Sequence, residues 1–327
     1  MKKVILFLIA MYFYTASQAQ YPTLLWTNKI QAITQSNPYC NIREIVVDAE
    51  GSVFAAGSFT DSLRVDKNQP LVIVQGDESS ESAFFAKYHS NGTLLWSKVI
   101  KGGYLTVSDI SLDKFNNIYI AGHAATGTPI DFDPGAGVAN LPFDGNDFYF
   151  AKYDSVGNYV WAKIINVGNG NSLWENKMHA IHVDSNLNIY LGGQFQNTMD
   201  IDPDATTVTL ANPGGSNCNC TVGFYAKYNN NGALLWGRAD TRNAAIRDLH
   251  VHDATGRIAL AGERSTNFGT PFRLVSAAGA GIDSLTGGRI ISTCARFDAA
   301  GNVYYSGYFS SSNNDFDWGN GTTYLSS

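Results

Sequence analysis

The amino-acid sequence predicts an all-β fold assembled from tandem four-stranded units, and three observations carry that prediction. One phrase recurs, as Phe85-Ala86-Lys87-Tyr88, Phe150-Ala151-Lys152-Tyr153 and Tyr225-Ala226-Lys227-Tyr228. Each copy is followed by a Gly-containing turn and then by Trp96, Trp161 or Trp236, and Trp26 looks like the tail of one more copy; the steps between these tryptophans are 70, 65 and 75 residues. Self-similarity at a near-constant step of this size marks a repeat architecture. Finally, the chain shows no convincing helical period, only short alternating stretches of β-branched and aromatic residues punctuated by Gly and Asn, which read as strands and tight turns.

Each unit opens with an alternating segment that ends in Asp: Ile45 to Asp48, Ile110 to Asp113, Ile181 to Asp184, His250 to Asp253. A turn rich in Gly and Asn follows, as hairpins that need positive φ require. The second strand carries small residues and ends in Gly: Val53 to Gly57, Ile118 to Gly122, Ile189 to Gly193, Ile258 to Gly262. A Gly there predicts close approach of a neighbouring backbone. The Ala-Lys-Tyr phrase is the third strand and the Trp segment the fourth. Phe85 and Lys87 share one face of the third strand, and Phe84, Ala86 and Tyr88 the other. Apolar residues on both faces fit sheets sandwiched between sheets, which is the arrangement of β-propeller blades. Lys87, Lys152 and Lys227 recur in register, as structural, snorkelling lysines would.

These motifs resemble a known group. The combination of an Asp turn with Gly-Asn before a Tyr strand ending in Gly, then Asp131-Phe132-Asp133-Pro134-Gly135, then Phe150-Ala151-Lys152-Tyr153-Asp154 with Gly157-Asn158 and Trp161-Ala162-Lys163, is similar to the bacterial β-propeller repeats (SBBP type) of secreted Bacteroidetes proteins. The resemblance covers nearly all of the chain after residue 40. It implies an exported or surface-exposed propeller, a kind frequently joined to a separate C-terminal sorting domain, for which this sequence shows no counterpart.

The expected organisation is a signal peptide at 1–19 and a propeller domain at 20–327. Blades are placed at approximately 41–100, 105–165, 176–239 and 244–297, with a partial blade at 298–327 and an outer strand at 23–30. Lys2 and Lys3, the apolar run Val4 to Tyr14 and Ser17-Gln18-Ala19 form a secretory signal cleaved after Ala19. That run is shorter than the roughly 20 residues of a membrane span, so no span is expected once it is removed. The fourth unit is irregular. Cys294-Ala295-Arg296-Phe297 lies where an Ala-Lys-Tyr strand is due, 42 residues after Asp253, yet Asp298 to Gly307 also matches the opening hairpin of a new blade. Either a truncated fourth blade merges into a fifth, the reading favoured by Asp315-Phe316-Asp317 beyond it, or Val303 to Phe309 closes the fourth. Thr23 to Ile30 would complete the last blade in a closed ring; the alternative is that the sequence is a fragment.

Composition narrows the partners. Net charge is −6, or −8 without Lys2 and Lys3, and no Lys/Arg cluster is present, which argues against nucleic acid. The four cysteines Cys40, Cys218, Cys220 and Cys294 suit an oxidising compartment and leave the pairing open. The acidic loop recurs as Asp131/Asp133, Asp200/Asp202 and Asp315/Asp317, and paired carboxylates with loop carbonyls make calcium the one candidate cofactor, none being required. The plainer reading is that these aspartates and the Pro-Gly shape a turn. His250 and His252 share a strand face, where packed histidines outweigh a zinc site because Ile and Val hold the matching positions in other units. Trp174 and Glu175 break out of the repeat and are the candidate ligand-binding pair. No nucleophile, zincin or phosphate-loop motif is visible, so no catalytic residue is assigned.

The expected function is therefore a non-enzymatic binding or adhesion scaffold for extracellular protein or glycan, exported to the outer surface or medium, or otherwise the periplasm. The rival is a polysaccharide hydrolase or lyase on the same scaffold. A channel lined by small and apolar residues favours the first; a solvent-facing cluster of Asp, Glu, His or Arg favours the second.

Overall fold

The computed structural model describes residues 26–33, 39–66, 73–76, 80–167, 175–214, 220–264, 272–285, 290–309, 314–315 and 324–325. The signal segment lies outside these residues. The chain is all-β, with no helix among the described residues, and forms a β-propeller of four-stranded antiparallel blades. Blade one is Cys40–Val47, Val53–Phe59, Ser82–Tyr88 and Leu94–Ile100, paired in that order. Blade two is Thr106–Leu112, Ile118–Thr126, Gly145–Tyr153 and Tyr159–Ile165; blade three is Lys177–Val183, Ile189–Phe195, Val222–Tyr228 and Leu234–Asp240.

The C-terminal units differ from the placement expected of them. Blade four has its own third and fourth strands, Phe272–Val275 and Gly281–Leu285, after Asn243–His252 and Arg257–Arg264. Ile290–Phe297 pairs with Val303–Phe309 and opens a fifth unit instead of closing the fourth. The Asp298 turn explains why. The Tyr304 hydroxyl donates across this turn to Asp298 Oδ2 at 3.2 Å, as Tyr119 does to Asp113 and Tyr190 to Asp184 across the first hairpins of their blades. The strand before Asp298 is therefore a first strand, and its 42-residue step from Asp253 is coincidental. At the other end, residues 26–30 carry no strand pairing among the described residues; pairing begins at Gln31–Ala32, against Ser62–Arg64.

One irregularity recurs in every first strand. Register shifts across Arg43, Ser108, His179, Arg247 and Thr293, so each first strand bulges at the same place. Opposite the bulge stands the Gly of the second strand, which runs on past it: Gly57, Gly122, Gly193, Gly262 or Gly307. A Cβ on Gly122 would lie 1.8 Å from the Thr106 carbonyl oxygen, and one on Gly57 2.1 Å from that of Asn41. The expected close backbone approach is present, and the bulge is its cause.

The tryptophans share one environment. Trp96 meets Phe54 and Phe85 edge-on, Trp161 meets Tyr119 and Phe150, and Trp236 meets Tyr190 and Tyr225. Each also reaches the outer hairpin of the next blade. A Cβ on Gly157 would stand 3.2 Å from Trp96, on Gly232 3.4 Å from Trp161, and on Gly279 3.0 Å from Trp236. Trp26 does the same to Gly92 at 2.6 Å and donates its indole N–H to the Ser90 carbonyl at 2.7 Å. It occupies the place of a fourth-strand tryptophan ahead of blade one.

Blades are wedged by aromatic pairs such as Phe85 with Tyr153 (4.6 Å between centroids) and Phe150 with Tyr228 (4.9 Å). Near the axis, backbone N–H groups of one first strand are received by side chains of the preceding blade. Val107 donates to Ser58 Oγ at 3.0 Å, Ile181 to Asp109 Oδ2 at 2.8 Å, and Ala295 to Asp248 Oδ2 at 2.9 Å.

Two blade faces lack such cover. Ile45 and Val47 of blade one are 53% and 60% exposed, whereas Ile110 and Ile181, in the place of Ile45, are 2% and 4% exposed. Tyr304 of the fifth unit is 60% exposed against 0% for its counterpart Tyr119. The described residues thus form an arc with a seam between the fifth unit and blade one. Ile110→Ala is expected to cost about 2–5 kcal/mol, and Ile45→Ala less than about 0.5 kcal/mol, in urea unfolding. Equal costs would mean that the seam is covered in solution.

Candidate functional site

First strands line the axis of a propeller, so the bulge residues and their neighbours decide what the axis presents. A cavity of 460 Å³ opens at one end, and among its lining residues are Arg43, Glu81, His123, Lys177, His179 and Arg247. Three of the six, Arg43, His179 and Arg247, are the bulge residues of blades one, three and four. A bulge places one extra residue outside the ladder and re-aims its side chain. The cavity falls within the roughly 300–1,000 Å³ typical of small-ligand pockets.

The electrostatics of this mouth are uneven. Arg247 is ion-paired with Glu263. Neither Arg43 nor Lys177 has a carboxylate within 4.0 Å among the described residues. Glu81 is the single Asp or Glu among the described lining residues; burial pushes its carboxyl above the usual range, and Arg43 opposes the rise. The histidines are held neutral. Burial, then Arg43 and Lys177, pull His123 down to about 4; burial, then Arg247, pull His179 down to about 3. Gln194 donates its amide to the Glu175 carbonyl at 2.8 Å, which leaves Gln194 Oε1 to accept His179 Nε2–H at 3.1 Å. His179 therefore keeps its lone pair on Nδ1.

A folded-state pKa below the unfolded value of about 6.5 means that the unfolded chain binds more protons as pH falls. Stability from these histidines is present above about pH 6.5 and is lost toward the folded values. Buried Asp109 acts with the opposite sign, since burial first, then Asp248 and Glu44, hold its carboxyl well above the usual range. Comparing variants separates the two. His179→Gln is expected to remove on the order of 2 kcal/mol of the stability lost between pH 7 and pH 4.5, read by urea unfolding at both pH values. An unchanged pH slope would contradict the neutral assignment.

Farther along the same strands a second cavity, of 270 Å³, is lined by Glu44, Asp109, His182, Asp248, His250 and Arg296 among others. Its polar groups are largely engaged: Asp109 and Asp248 receive next-blade N–H groups, Asp248 pairs with Arg296, and His250 Nδ1 accepts the Phe297 N–H at 3.2 Å. His250 thus serves packing, and His252 bonds Thr255 Oγ1 at 2.8 Å.

The other residues singled out by sequence make the following contacts where they are described. Asp131 Oδ1 accepts the Asp133 and Ala139 N–H groups, and Asp133 Oδ1 accepts that of Gly135 at 2.7 Å. Asp200 and Asp202 repeat the pattern with Asp202, Val208 and Asp204. Between the paired carboxylates, Phe132 and Ile201 are buried, and their carbonyls accept the Tyr153 and Tyr228 hydroxyls at 3.0 and 2.9 Å. Asp315 lies in the short strand Asn314–Asp315, while its side chain and the whole of Asp317 fall outside the described residues. Among the described residues no three His, Cys, Asp or Glu side chains form a set suited to a metal ion. Trp174 lies outside the described residues, and Glu175 contributes its carbonyl to Gln194. Lys87, Lys152 and Lys227 stand over the rings of Phe54, Tyr119 and Tyr190. Cys220 is disulfide-bonded; Cys40 and Cys294 are free thiols, both raised by burial and so poor nucleophiles.

Sequence reasoning missed Arg43, Lys177, Arg247, His123 and His179. A signal was there: Arg43, Ser108, His179 and Thr293 each stand five residues before the turn Asp, a position where residue type changes from unit to unit.

The geometry defines a β-propeller with a polar, cation-bearing axial mouth. Comparison with known proteins agrees on the repeat class. The chain is 27% identical over 162 residues, 46% of its length, to an uncharacterized WD repeat-containing protein of Acanthamoeba polyphaga mimivirus, and the match spans 11% of that protein. No family model matches the chain.

Proposed function

We propose that the protein is an exported β-propeller that works as a binding scaffold for an extracellular protein or glycan, received at the axial mouth. The observation that carries this reading is the 460 Å³ cavity bearing Arg43 and Lys177, neither with a carboxylate partner among the described residues. The signal-like N-terminus and the resemblance to repeats of secreted Bacteroidetes proteins support export. No helix among the described residues is long and apolar enough to cross a membrane.

The hydrolase or lyase reading has one observation in its favour: the channel carries Asp, Glu, His and Arg side chains. Two features weigh against it. Two-carboxylate glycoside chemistry needs a facing pair: the mouth offers Glu81 alone among its described residues, and in the second cavity Asp109 and Asp248 already accept next-blade N–H groups while Asp248 pairs with Arg296. A general base works best with a pKa near the operating pH, whereas His123 and His179 are depressed to about 4 and about 3. The test uses purified mature chain with extracellular polysaccharides and peptides. Saturable binding without new reducing ends, unsaturated sugar or cleaved peptide is expected. Product formation abolished by Glu81→Gln or His179→Gln would replace the scaffold with an enzyme.

A further inference from the structure

We propose that the axial mouth is a receptor for an acidic sugar, whose carboxylate is taken by Arg43 and Lys177 while its ring lies against Tyr104. The proposal rests on the mouth being the binding site and adds the ligand class.

The charge argument comes first. Arg43 comes from the first strand of blade one and Lys177 from that of blade three, so two cations from separate blades line one cavity. Arg247 lines it too, its charge offset by Glu263. Arg43 and Lys177 have neither a hydrogen-bond nor an ion-pair partner among the described residues. Glu81, the single carboxyl among the described lining residues, is biased by burial toward its neutral form. The surrounding histidines add no charge at neutral pH and offer polar ring atoms instead. An anion entering here meets an exposed Arg43 and a half-buried Lys177, and a charge-assisted hydrogen bond to either is about twice as strong as a neutral one.

Shape selects among anions. Tyr104 lines the mouth and is 55% exposed, held at φ 49° on a turn that follows Gly102 and Gly103, both also at positive φ. Tyr39 also lines the mouth. The C–H face of a pyranose is apolar and slightly positive at its edge, and it complements the negative face of an aromatic ring. A bare phosphate or sulfate has no use for such a surface. An acidic peptide would seek main-chain pairing with an exposed strand edge. The first strands are poor edges at this level, because each bulges at the mouth and breaks its row of donors and acceptors.

The experiment is a calorimetric titration of the mature chain with galacturonate tetramer, its methyl ester, a glutamate octapeptide and inorganic phosphate. The acid is expected to bind saturably and at least tenfold more tightly than the ester, and than the octapeptide or phosphate. Arg43→Gln and Lys177→Gln are each expected to weaken the acid at least fivefold with an unchanged urea midpoint. Tyr104→Ala is expected to weaken the tetramer but not phosphate. No binding of the acid, equal affinity for acid and ester, or indifference to both cation variants overturns the proposal; so does an octapeptide that binds as tightly as the tetramer. Ser108→Trp, which fills the cavity from the bulge of blade two, separates the two levels. A ligand of any class whose binding survives Ser108→Trp removes the mouth itself as the site. Where ester or peptide binds as tightly as the acid and that binding is lost in Ser108→Trp, the mouth stands as the site and the acidic sugar is rejected.

Discussion

Gly122→Ala is expected to destabilise the protein by about 4 kcal/mol or more, at the far end of what one substitution does. The added methyl would stand 1.8 Å from the Thr106 carbonyl oxygen and 2.9 Å from its carbon, both main-chain atoms, with the Tyr149 ring at 3.0 Å. No rotamer relieves such a contact, because the obstacle is the bulged first strand. Relief needs the two inner strands to part, which takes Val107 away from Ser58 and loosens the link between blades one and two. Gly127→Ala is the control: nothing lies within 4 Å of its added Cβ, and a change within about 0.5 kcal/mol is expected. Urea unfolding of the two variants decides it. If Gly122→Ala unfolds with the wild-type midpoint, the bulge is not obligatory and the account of the axis fails with it.

Phe150→Ala carries the second large effect, about 3–5 kcal/mol. Phe150 is fully buried on the third strand of blade two, edge-on to Trp161 at 5.5 Å within its own blade and against Tyr228 of blade three at 4.9 Å. Its loss leaves a cavity that two sheets line and neither can fill alone. Val160, on the neighbouring strand and 48% exposed, supplies the contrast, since Val160→Ala is expected to change little. Thermal and urea unfolding should show Phe150→Ala lowering stability with a steep, single transition. A separate early transition would mean that the blades unfold independently.

The fold was legible because a radial repeat must hold the same things constant in every unit. The Trp, the third-strand aromatics, the turn Asp and the Gly opposite the bulge recur for packing reasons, and each falls in the structure where its chemistry requires. The fourth unit misled because Cys294-Ala295-Arg296-Phe297 resembles a third strand in composition, while its pairing with Val303–Phe309 and the Tyr304 bond to Asp298 across the hairpin mark it as a first strand. The site was illegible for the opposite reason. Arg43, His179 and Arg247 stand where the repeat does not repeat, and a lone basic residue in a strand reads as solvated surface until the bulge that aims it is known. Lys177 shares the first strand of blade three with His179, and His123 joins them only through the curvature that brings separate blades to one axis, which no local spacing reports. The Asp-x-Asp loops drew attention as candidate ligands because they recur, yet recurrence is the mark of framework: their described carboxylates accept backbone N–H groups, and the residue between them anchors a tyrosine.

The binding account stands or falls on where a ligand touches the ring. Hydrogen exchange of the mature chain, with and without saturating galacturonate tetramer, reads this directly. Added protection is expected in the segments holding Arg43, Tyr104, Lys177 and Arg247, three first strands and one turn that are distant in sequence and meet at one end of the axis. Protection confined to the outer hairpins or the Asp-x-Asp loops, with the four mouth segments exchanging as in the free protein, would contradict it.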